Sequence, residues 1–471
     1  MPIPVLTIAQ MRQWEEATWA AGQTQDSVIR RVGELVARRA LSLTSDEETI
    51  LILAGKGHNG DDARAAAPHL HGRRVQWLRL EDPVSSLAQA REALARRPAL
   101  VVDGLFGIGL NRPLDAPWLA LIDAVNQSNL PVLAVDVPSG LNADRGEPLG
   151  GAVRADLTLT LGAPKHGLLL PRAATFVGRL ELAPDIGLLP CPLTGDLLWG
   201  LPADCQGYPP RRPAGGHKGT FGHLLIFAGS PGYHGAAVLA ARAAQRAQPG
   251  LISLYTTEPV YEPAASQLQA VMVHAWAPWT KWPENGSAML VGPGLAAPDL
   301  PGEAGAEVLR WWREGGVPVV ADASGLDWLQ EGRTPSATIR VITPHPGEAA
   351  RLLRTTAETV QADRVKAVRE LSRRYGGCWV VLKGQHTLIG RAEGPIYVNP
   401  SGNPFLAQGG SGDVLAGFLS GLLAQPALQQ DVGRTLRYAV WQHGAAADRL
   451  TATQRNWVVE DLMAVIGLSS T

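Results

Sequence analysis

The stretch Asn399-Pro400-Ser401-Gly402-Asn403-Pro404-Phe405-Leu406-Ala407-Gln408-Gly409-Gly410-Ser411-Gly412-Asp413, running into VLAGFLSGLLA, decides how the rest of the chain is read. Its two prolines and four glycines rule out a regular element before Gly412, because proline removes a donor and glycine loses the most backbone entropy. Beyond that point Val414, Leu415, Phe418, Leu419 and Leu422 recur at helical spacing. A glycine-rich turn therefore opens a helix. The N–H groups of a first helical turn lack intrahelical acceptors, and the helix dipole favours an anion beside them. A carboxylate in such a place, Asp413, is unusual. Either it caps the helix, as Ser411 also could, or it does chemistry; the loop alone leaves both open.

A chain of 471 residues is too long for one ordinary core, so two or three domains are expected. Apolar content of 45% and charged content of 18% describe a soluble globular protein. The formal net charge is −1 with no basic run, so neither nucleic acid nor an anionic membrane is expected as a partner. Cys191, Cys205 and Cys378 are scattered, fit no metal spacing and read as reduced thiols. The opening MPIPVLTIAQMRQW has no basic segment followed by an apolar core, so no signal peptide is read and a cytoplasmic location is expected. No apolar run approaches the length needed to cross a bilayer.

Helical periodicity marks residues 5–42, with Ile8, Met11, Trp14 and Ala17 on one face and Ile29, Val32, Leu35 and Val36 on the next. Short, continuously apolar runs then alternate with helical ones. The strands predicted are Ile50–Ala54, Val75–Leu80, Leu100–Asp103, Val132–Asp136 and Leu157–Leu161, as expected of a parallel sheet covered on both faces. Seven prolines interrupt residues 184–219, which reads as a linker with a domain boundary near residue 212. The rhythm restarts beyond it, with strands at His223–Ala228, Leu251–Thr256, Met289–Val291, Val317–Asp322, Arg340–Ile342 and Trp379–Leu382. The expected fold is α/β, with two doubly wound domains over 1–212 and 213–471.

In the N-terminal half, Gly55-Lys56-Gly57-His58-Asn59-Gly60-Asp61-Asp62 follows directly on a strand, where such a turn can cradle a phosphate. Asp103-Gly104-Leu105-Phe106-Gly107-Ile108-Gly109, Asp136-Val137-Pro138-Ser139-Gly140-Leu141-Asn142 and Gly162-Ala163-Pro164-Lys165-His166-Gly167 end further strands on the same sheet edge, and ligands sit at the carboxyl ends of such strands. The set GKGHNGDD, DGLFGIG and DVPSGLNADRG resembles the Rossmann-like NAD(P)HX epimerase domain of the bifunctional NAD(P)H-hydrate repair enzymes. That resemblance implies potassium near Asn59, Asp103 and Ser139. It implies substrate contacts at His58, Asn59, Gly60, Asp61 and Asp62 and at Gly107, Ile108, Gly109, Leu110, Asn111, Arg112 and Pro113, with Asp136 placed for acid/base work. The family's loop usually reads Asn-Asn-Gly-Gly-Asp-Gly; His58, Asp61 and Ala63 depart from it. If the lost glycines sat at positive φ, Ala63 would cost about 1–2 kcal/mol, and Asp61 would put a charge where a pyrophosphate should lie. A weakened epimerase and a re-formed active loop are both open.

The C-terminal half carries HKGTFGHLLIFAGSPGYHGAA, Gly292-Pro293-Gly294, Asp322-Ala323-Ser324-Gly325-Leu326, Thr343-Pro344-His345-Pro346-Gly347-Glu348, Lys383-Gly384-Gln385-His386-Thr387 and the opening glycine loop. Glycine turns at strand ends with GGSGD opening a helix are similar to ribokinase-like transfer folds, where the helix start holds charge and an Asp deprotonates the accepting hydroxyl. The ordered set is similar to the ADP-dependent NAD(P)H-hydrate dehydratase domain. The resemblance implies that Asp413 deprotonates the C6 hydroxyl of the S epimer. Ala236, Gly294 and His345 would contact the hydrated cofactor, and Lys383, Gly384, Gln385, His386, Thr387 and Gly412 the nucleotide. ADP (or ATP) would be the co-substrate and magnesium would bridge its phosphates. A homo-oligomer is expected. Ser324 stands where a second aspartate is usual, Gln408 where a small or hydroxyl residue is usual, and Ala296 where glycine is usual. The alternative is a ribokinase-like kinase of a small vitamin alcohol, which leaves the TPHPGE segment unexplained, with a non-catalytic N-terminal binding module; the altered His58–Ala63 loop favours the latter part alone.

Overall fold

The computed structural model describes residues 1–281, 285–297, 300, 302–334 and 338–468. It divides into two compact units, Ile3–Gly195 and Asp196–Thr471 with Met1–Pro2.

In the first unit the strands are β1 (Thr49–Ala54), β2 (Arg74–Arg79), β3 (Leu100–Gly104), β4 (Val132–Val135), β5 (Leu157–Leu161) and β6 (Arg179–Ala183). They form a parallel sheet in the order β2-β1-β3-β4-β5-β6. Side chains alternate across it, as the two-residue period of a strand requires. Ile50, Ile52, Val102, Leu133 and Val135 enter one core, and Leu51, Leu53, Val101 and Ala134 the other. The chain order reverses beside β1 and β3, which opens a crevice at their carboxyl ends. The segments beginning at Gly55 and Leu105 leave the sheet there. The buried face of the helix Ile8–Ala20 is Met11, Trp14 and Thr18 rather than one including Ala17. Thr18 satisfies its hydroxyl on the Trp14 carbonyl at 2.9 Å, so a polar residue occupies a core position.

In the second unit the strands are β7 (Leu197–Trp199), β8 (His223–Phe227), β9 (Leu251–Thr256), β10 (Met272–Ala275), β11 (Ala288–Val291), β12 (Val319–Ala321), β13 (Arg340–Ile342), β14 (Trp379–Leu382), β15 (Leu388–Gly390) and β16 (Ile396–Val398). They lie in the order β7-β16-β15-β14-β13-β12-β11-β8-β9-β10. Only β15 runs against its neighbours; β16 and β7 pair in parallel. That last pairing moves the boundary from residue 212 to residue 195. Residues 196–212 contribute a strand, the Tyr208 ring packed on the core, and Arg212 bonded to Gln425 Oε1 at 3.2 Å. Proline content signals irregular backbone; it does not signal freedom from packing.

The helix Ser411–Leu423 packs along the helix His234–Ala247. A Cβ on Gly417 would lie 2.0 Å from the Ala240 carbonyl oxygen, and one on Gly421 2.8 Å from that of Ala244. The alanine-rich sequence of one helix and the Gly-x-x-x-Gly spacing of the other therefore set how closely the two backbones approach. Gly417→Ala is expected to cost about 1–3 kcal/mol by overpacking, read as a lower midpoint in a thermal melt. Gly409→Ala, whose Cβ meets nothing within 4 Å, should melt with the wild type.

Candidate active sites

In the second unit the helix start is built as the glycines require. Gly410 is the N-cap at φ 91° and ψ −17°, and it supplies no side-chain cap. The Ser411 N–H donates to Gln408 O at 3.3 Å and that of Val414 to Gly410 O at 3.0 Å. Those of Gly412 and Asp413 have no acceptor among the described residues. Asp413 thus stands inside the first turn and is not the cap; its carboxylate accepts no hydrogen bond among the described residues.

Three strand ends bring charge to this turn. Asp322 follows β12, Glu348 opens the helix Pro346–Leu353 after β13, and Lys383 follows β14. Lys383 Nζ lies 2.7 Å from Asp322 Oδ1 and 3.7 Å from Glu348 Oε2. Thr343 Oγ1 donates to the same Asp322 oxygen at 2.8 Å. A Cβ on Gly412 would be 3.5 Å from Lys383 Nζ and 3.9 Å from Asp322 Oδ2, so the glycine loop passes directly over the ion pair. Burial, then the negative charge of Asp322, with Glu348 adding to it and Lys383 opposing, pushes the Asp413 carboxyl up to about 7. Burial alone would lower Lys383, but Asp322, Glu348 and Asp413 outweigh it and its pKa is raised.

His345 caps the helix Pro346–Leu353. Its Nδ1 accepts from the Gly347 N–H at 3.0 Å and the Glu348 N–H at 3.3 Å, and its backbone N–H donates to Glu348 Oε2 at 2.7 Å. That ties it to the Lys383 cluster. Gly294, at φ 65°, would place a Cβ 2.9 Å from Ala236 Cβ, so those two predicted residues adjoin. Gly410 lies against Leu239, on the same helix as Ala236. Gly384, Gln385, His386 and Thr387 form the turn between β14 and β15. Asp322, Glu348 and His443, whose Nε2 lies 3.4 Å from Ser411 Oγ, are site residues that sequence reasoning does not single out. The first two stand in the glycine-turn motifs, but nothing in the sequence pairs them with Lys383.

In the first unit Asp136, at φ 64°, follows β4. Its Oδ1 accepts from the Leu161 N–H at 3.0 Å, from Thr160 Oγ1 at 3.3 Å and from Lys165 Nζ. Lys165 is wholly buried and also donates to Leu161 O at 2.8 Å. Burial, reinforced by the charge of Asp136, raises both Glu15 and Asp62, so three carboxylates and one ammonium face one another. Glu15 and Lys165 escape a reading of the sequence as site residues; a carboxylate on a helix and a lysine in a loop carry no signal by themselves.

Asp103 is fully buried and in no ion pair among the described residues. It accepts from Ser139 Oγ at 2.6 Å, Ser139 N–H at 2.8 Å and Leu105 N–H at 3.2 Å. Burial raises its pKa, against those hydrogen bonds. Asn59 Nδ2 donates to Phe106 O at 3.0 Å, and Ser139 Oγ lies 3.3 Å from the same oxygen. The structure therefore brings Asn59, Asp103 and Ser139 together. Residues 107–113 form the loop after β3, with a Cβ on Gly107 only 3.2 Å from Asn59. Arg112 and Pro113 are exposed on that loop.

The structure corrects the premise behind a strained 58–63 loop. His58–Ala65 is a helix capped by Gly57, and neither Asp61 nor Ala63 has a positive φ. Ala63 packs on Gly104, and Asp61 is paired with Arg64 at 2.5 Å. No left-handed position exists there for a glycine to fill.

Two doubly wound units, the second with a glycine-loop helix start over a Lys–Asp–Glu cluster, define an α/β protein with a ribokinase-like half. Its fold matches a ribokinase-like superfamily protein from Enterococcus faecalis V583, 23% identical, with a TM-score of 0.50 over 59% of this chain and 96% of that one. The family model described as NAD(P)H-hydrate dehydratase matches residues 224–466, and that described as YjeF-related protein N-terminus matches 25–97 and 77–167. The bifunctional NAD(P)H-hydrate repair enzyme Nnr of Gloeobacter violaceus is 37% identical across 94% of this chain and 93% of its own; that of Coxiella burnetii is 34% identical across 93% of each. This chain belongs to the bifunctional NAD(P)H-hydrate repair enzymes. Among the described residues no helix is long and apolar enough to cross a membrane.

Proposed function

We propose that the second unit dehydrates the S epimer of hydrated NADH or NADPH at the expense of ADP, and that the first unit interconverts the R and S epimers. One observation carries the dehydratase reading: an uncapped carboxylate, Asp413, held near neutral pKa beside free helix N–H groups and the Lys383–Asp322 pair. A base poised near the working pH is the kind that proton transfer favours.

In this reading Asp413 takes the C6 hydroxyl proton as that oxygen bonds to the terminal phosphorus of ADP and AMP departs. The N–H groups of Gly412 and Asp413 hold the migrating negative charge. The C6–O bond of the phosphorylated adduct then breaks as the ring nitrogen lone pair moves in. C5 gives up a proton, leaving NAD(P)H, AMP and phosphate. Ala236, Gly294 and His345 line the side toward the hydrated ring; Lys383–Thr387 and Gly412 line that toward the nucleotide. Magnesium supplies charge neutralisation on the phosphates. Such an ion would be held by the phosphates together with one or two carboxylates, and Asp322 and Asp413 are the carboxylates that stand at this helix start.

In the first unit Asp136 serves as the proton relay at the hydrated ring, with residues 58–62 and 107–113 around the substrate. Asn59, Asp103 and Ser139 supply amide, carboxylate and hydroxyl oxygens, a donor set suited to potassium. The Asp103 carboxylate, fully buried and in no ion pair among the described residues, suits such a counter-charge. The helical geometry of residues 58–65 removes the strain argument against activity.

The test gives the full chain the R epimer of hydrated NADH. Without ADP, epimers should equilibrate; with ADP, reduced-nicotinamide absorbance should return, with one AMP and one phosphate per turnover. Stable transfer of phosphate to an alcohol, with no NADH formed, would establish the kinase reading instead.

A further inference from the structure

Beneath the turn between β14 and β15 lies a half-buried cation that neither proposed mechanism uses. Arg364 opens the helix Arg364–Arg374. Its guanidinium donates to the backbone carbonyls of Leu382 (3.0 Å), Lys383 (3.3 Å), His386 (3.2 Å) and Gln385. It makes no ion pair among the described residues, and its Nε is buried without a partner. Burial lowers its pKa to about 10, which leaves it charged at neutral pH. An arginine that spends its donors on one turn's carbonyls fixes how that turn's peptide units point.

A trans peptide unit that aims its carbonyl one way aims its N–H the other. The N–H opposite the Leu382 carbonyl, that of Lys383, is taken by Pro344 O at 2.9 Å. Those opposite the Lys383, Gln385 and His386 carbonyls belong to Gly384, His386 and Thr387. None of the three donates to an acceptor among the described residues. The turn is held in an uncommon conformation, with Gly384 at φ 131° and His386 at φ 53°. Carbonyls are thus gathered toward a half-buried positive charge, and three N–H groups are left facing away from it, an arrangement that receives anions.

We infer that Arg364 is a positioning residue for the nucleotide: by gathering the carbonyls of Leu382, Lys383, Gln385 and His386 it turns the N–H groups of Gly384, His386 and Thr387 toward the nucleotide's phosphates. The inference rests on the reading of residues 383–387 as the nucleotide loop. It makes Arg364 a determinant of nucleotide affinity without contact with the nucleotide.

The experiment compares wild type, Arg364→Lys and Arg364→Met as full chains. ADP binding is measured by calorimetry, dehydration by steady-state kinetics, and epimerisation without ADP serves as the control of folding elsewhere in the chain. In Arg364→Met the Kd and KM for ADP should rise about tenfold or more, the effect expected for losing hydrogen bonds to a charged donor, while kcat at saturating ADP stays within about threefold of wild type. Arg364→Lys should fall between the two, since an ammonium keeps the charge and some of the bonds. A wild type that binds ADP together with an Arg364→Met that binds it as tightly overturns the inference alone. A wild type that binds no ADP overturns the nucleotide-loop reading and the inference with it. If Arg364→Met fails to fold, Arg364→Lys decides: raised KM with kept kcat supports the inference, and kcat falling with KM unchanged overturns it.

Discussion

Asp413→Asn should fold as the wild type does and lose dehydration turnover by about a thousandfold or more, the upper part of what a positioned general base contributes. The geometry makes the substitution clean. The Asp413 side chain caps nothing and bonds nothing among the described residues, so an amide of the same shape disturbs no protein partner. What it removes is the lone pair that accepts the hydroxyl proton. The wild-type pH profile should identify the same group. Its carboxyl is pushed up to about 7 by burial and by Asp322, with Glu348 adding to the effect. Below that pH the group is protonated and cannot accept a proton, so kcat/KM should fall about tenfold per unit as pH drops from about 7. Stability moves the other way. A carboxyl whose folded pKa lies above its unfolded value favours the fold while protonated, and that contribution is lost as pH rises through about 7. At pH above neutrality Asp413→Asn should therefore melt no lower than the wild type, and above it if the ionised carboxylate is a burden. A variant that keeps turnover moves the base elsewhere; one that melts much lower reveals a structural role instead.

Much of this architecture is legible in local chemistry. Apolar runs of strand length alternating with helical ones suit strands covered on both faces, so the two doubly wound units are read from patterning; the antiparallel β15 is not. The helix start at Gly410–Asp413 is equally local. What escapes is whatever depends on strands far apart in sequence. Asp322 and Lys383 meet because β12 and β14 flank β13; no spacing rule encodes that. Arg364 opens a helix, and nothing in the sequence ties it to the turn whose carbonyls it holds. The strands Leu197–Trp199, Met272–Ala275, Leu388–Gly390 and Ile396–Val398 are three or four residues long and lie at or near sheet edges, too short for a period to show. The boundary falls earlier than proline content suggests, because prolines in residues 196–212 mark irregular backbone whether or not its side chains are packed. The 58–63 segment errs in the opposite sense. Glycine is expected there to serve a strained turn, whereas those residues form a helix in which Gly60 passes over Gly55: a Cβ there would lie 2.0 Å from the Gly55 oxygen. Close packing requires the glycine at 60, and positive φ requires none at 61 or 63.

Lys165→Met should be the costliest single change in the first unit and should abolish epimerisation while leaving dehydration of supplied S epimer near wild type. Lys165 is wholly buried, and its ammonium is spent on Asp136, on Thr160 Oγ1 at 3.2 Å and on Leu161 O at 2.8 Å. The bridge between Leu6 and the Lys165 loop, through Leu6 N–H to Pro164 O at 2.9 Å and His166 N–H to Leu6 O at 3.0 Å, holds the stem in place. Removing the ammonium leaves Asp136 buried without its cation, facing Glu15 and Asp62. Breaking one side of a buried pair costs about 3–5 kcal/mol, and Asp136 also sits at φ 64°, a conformation that side chains adopt only when their bonds hold them there. The double variant Lys165→Met with Asp136→Asn separates the two consequences. With the unpaired charge gone it should recover much of the lost melting temperature, yet it should stay inactive on the R epimer because the relay is gone with it. A double variant no more stable than Lys165→Met would mean that the lysine stabilises chiefly through Thr160 and Leu161. A Lys165→Met that epimerises at the wild-type rate would mean that Asp136 does its work without the ammonium, and that the buried pair is a structural bond of the β4–β5 edge.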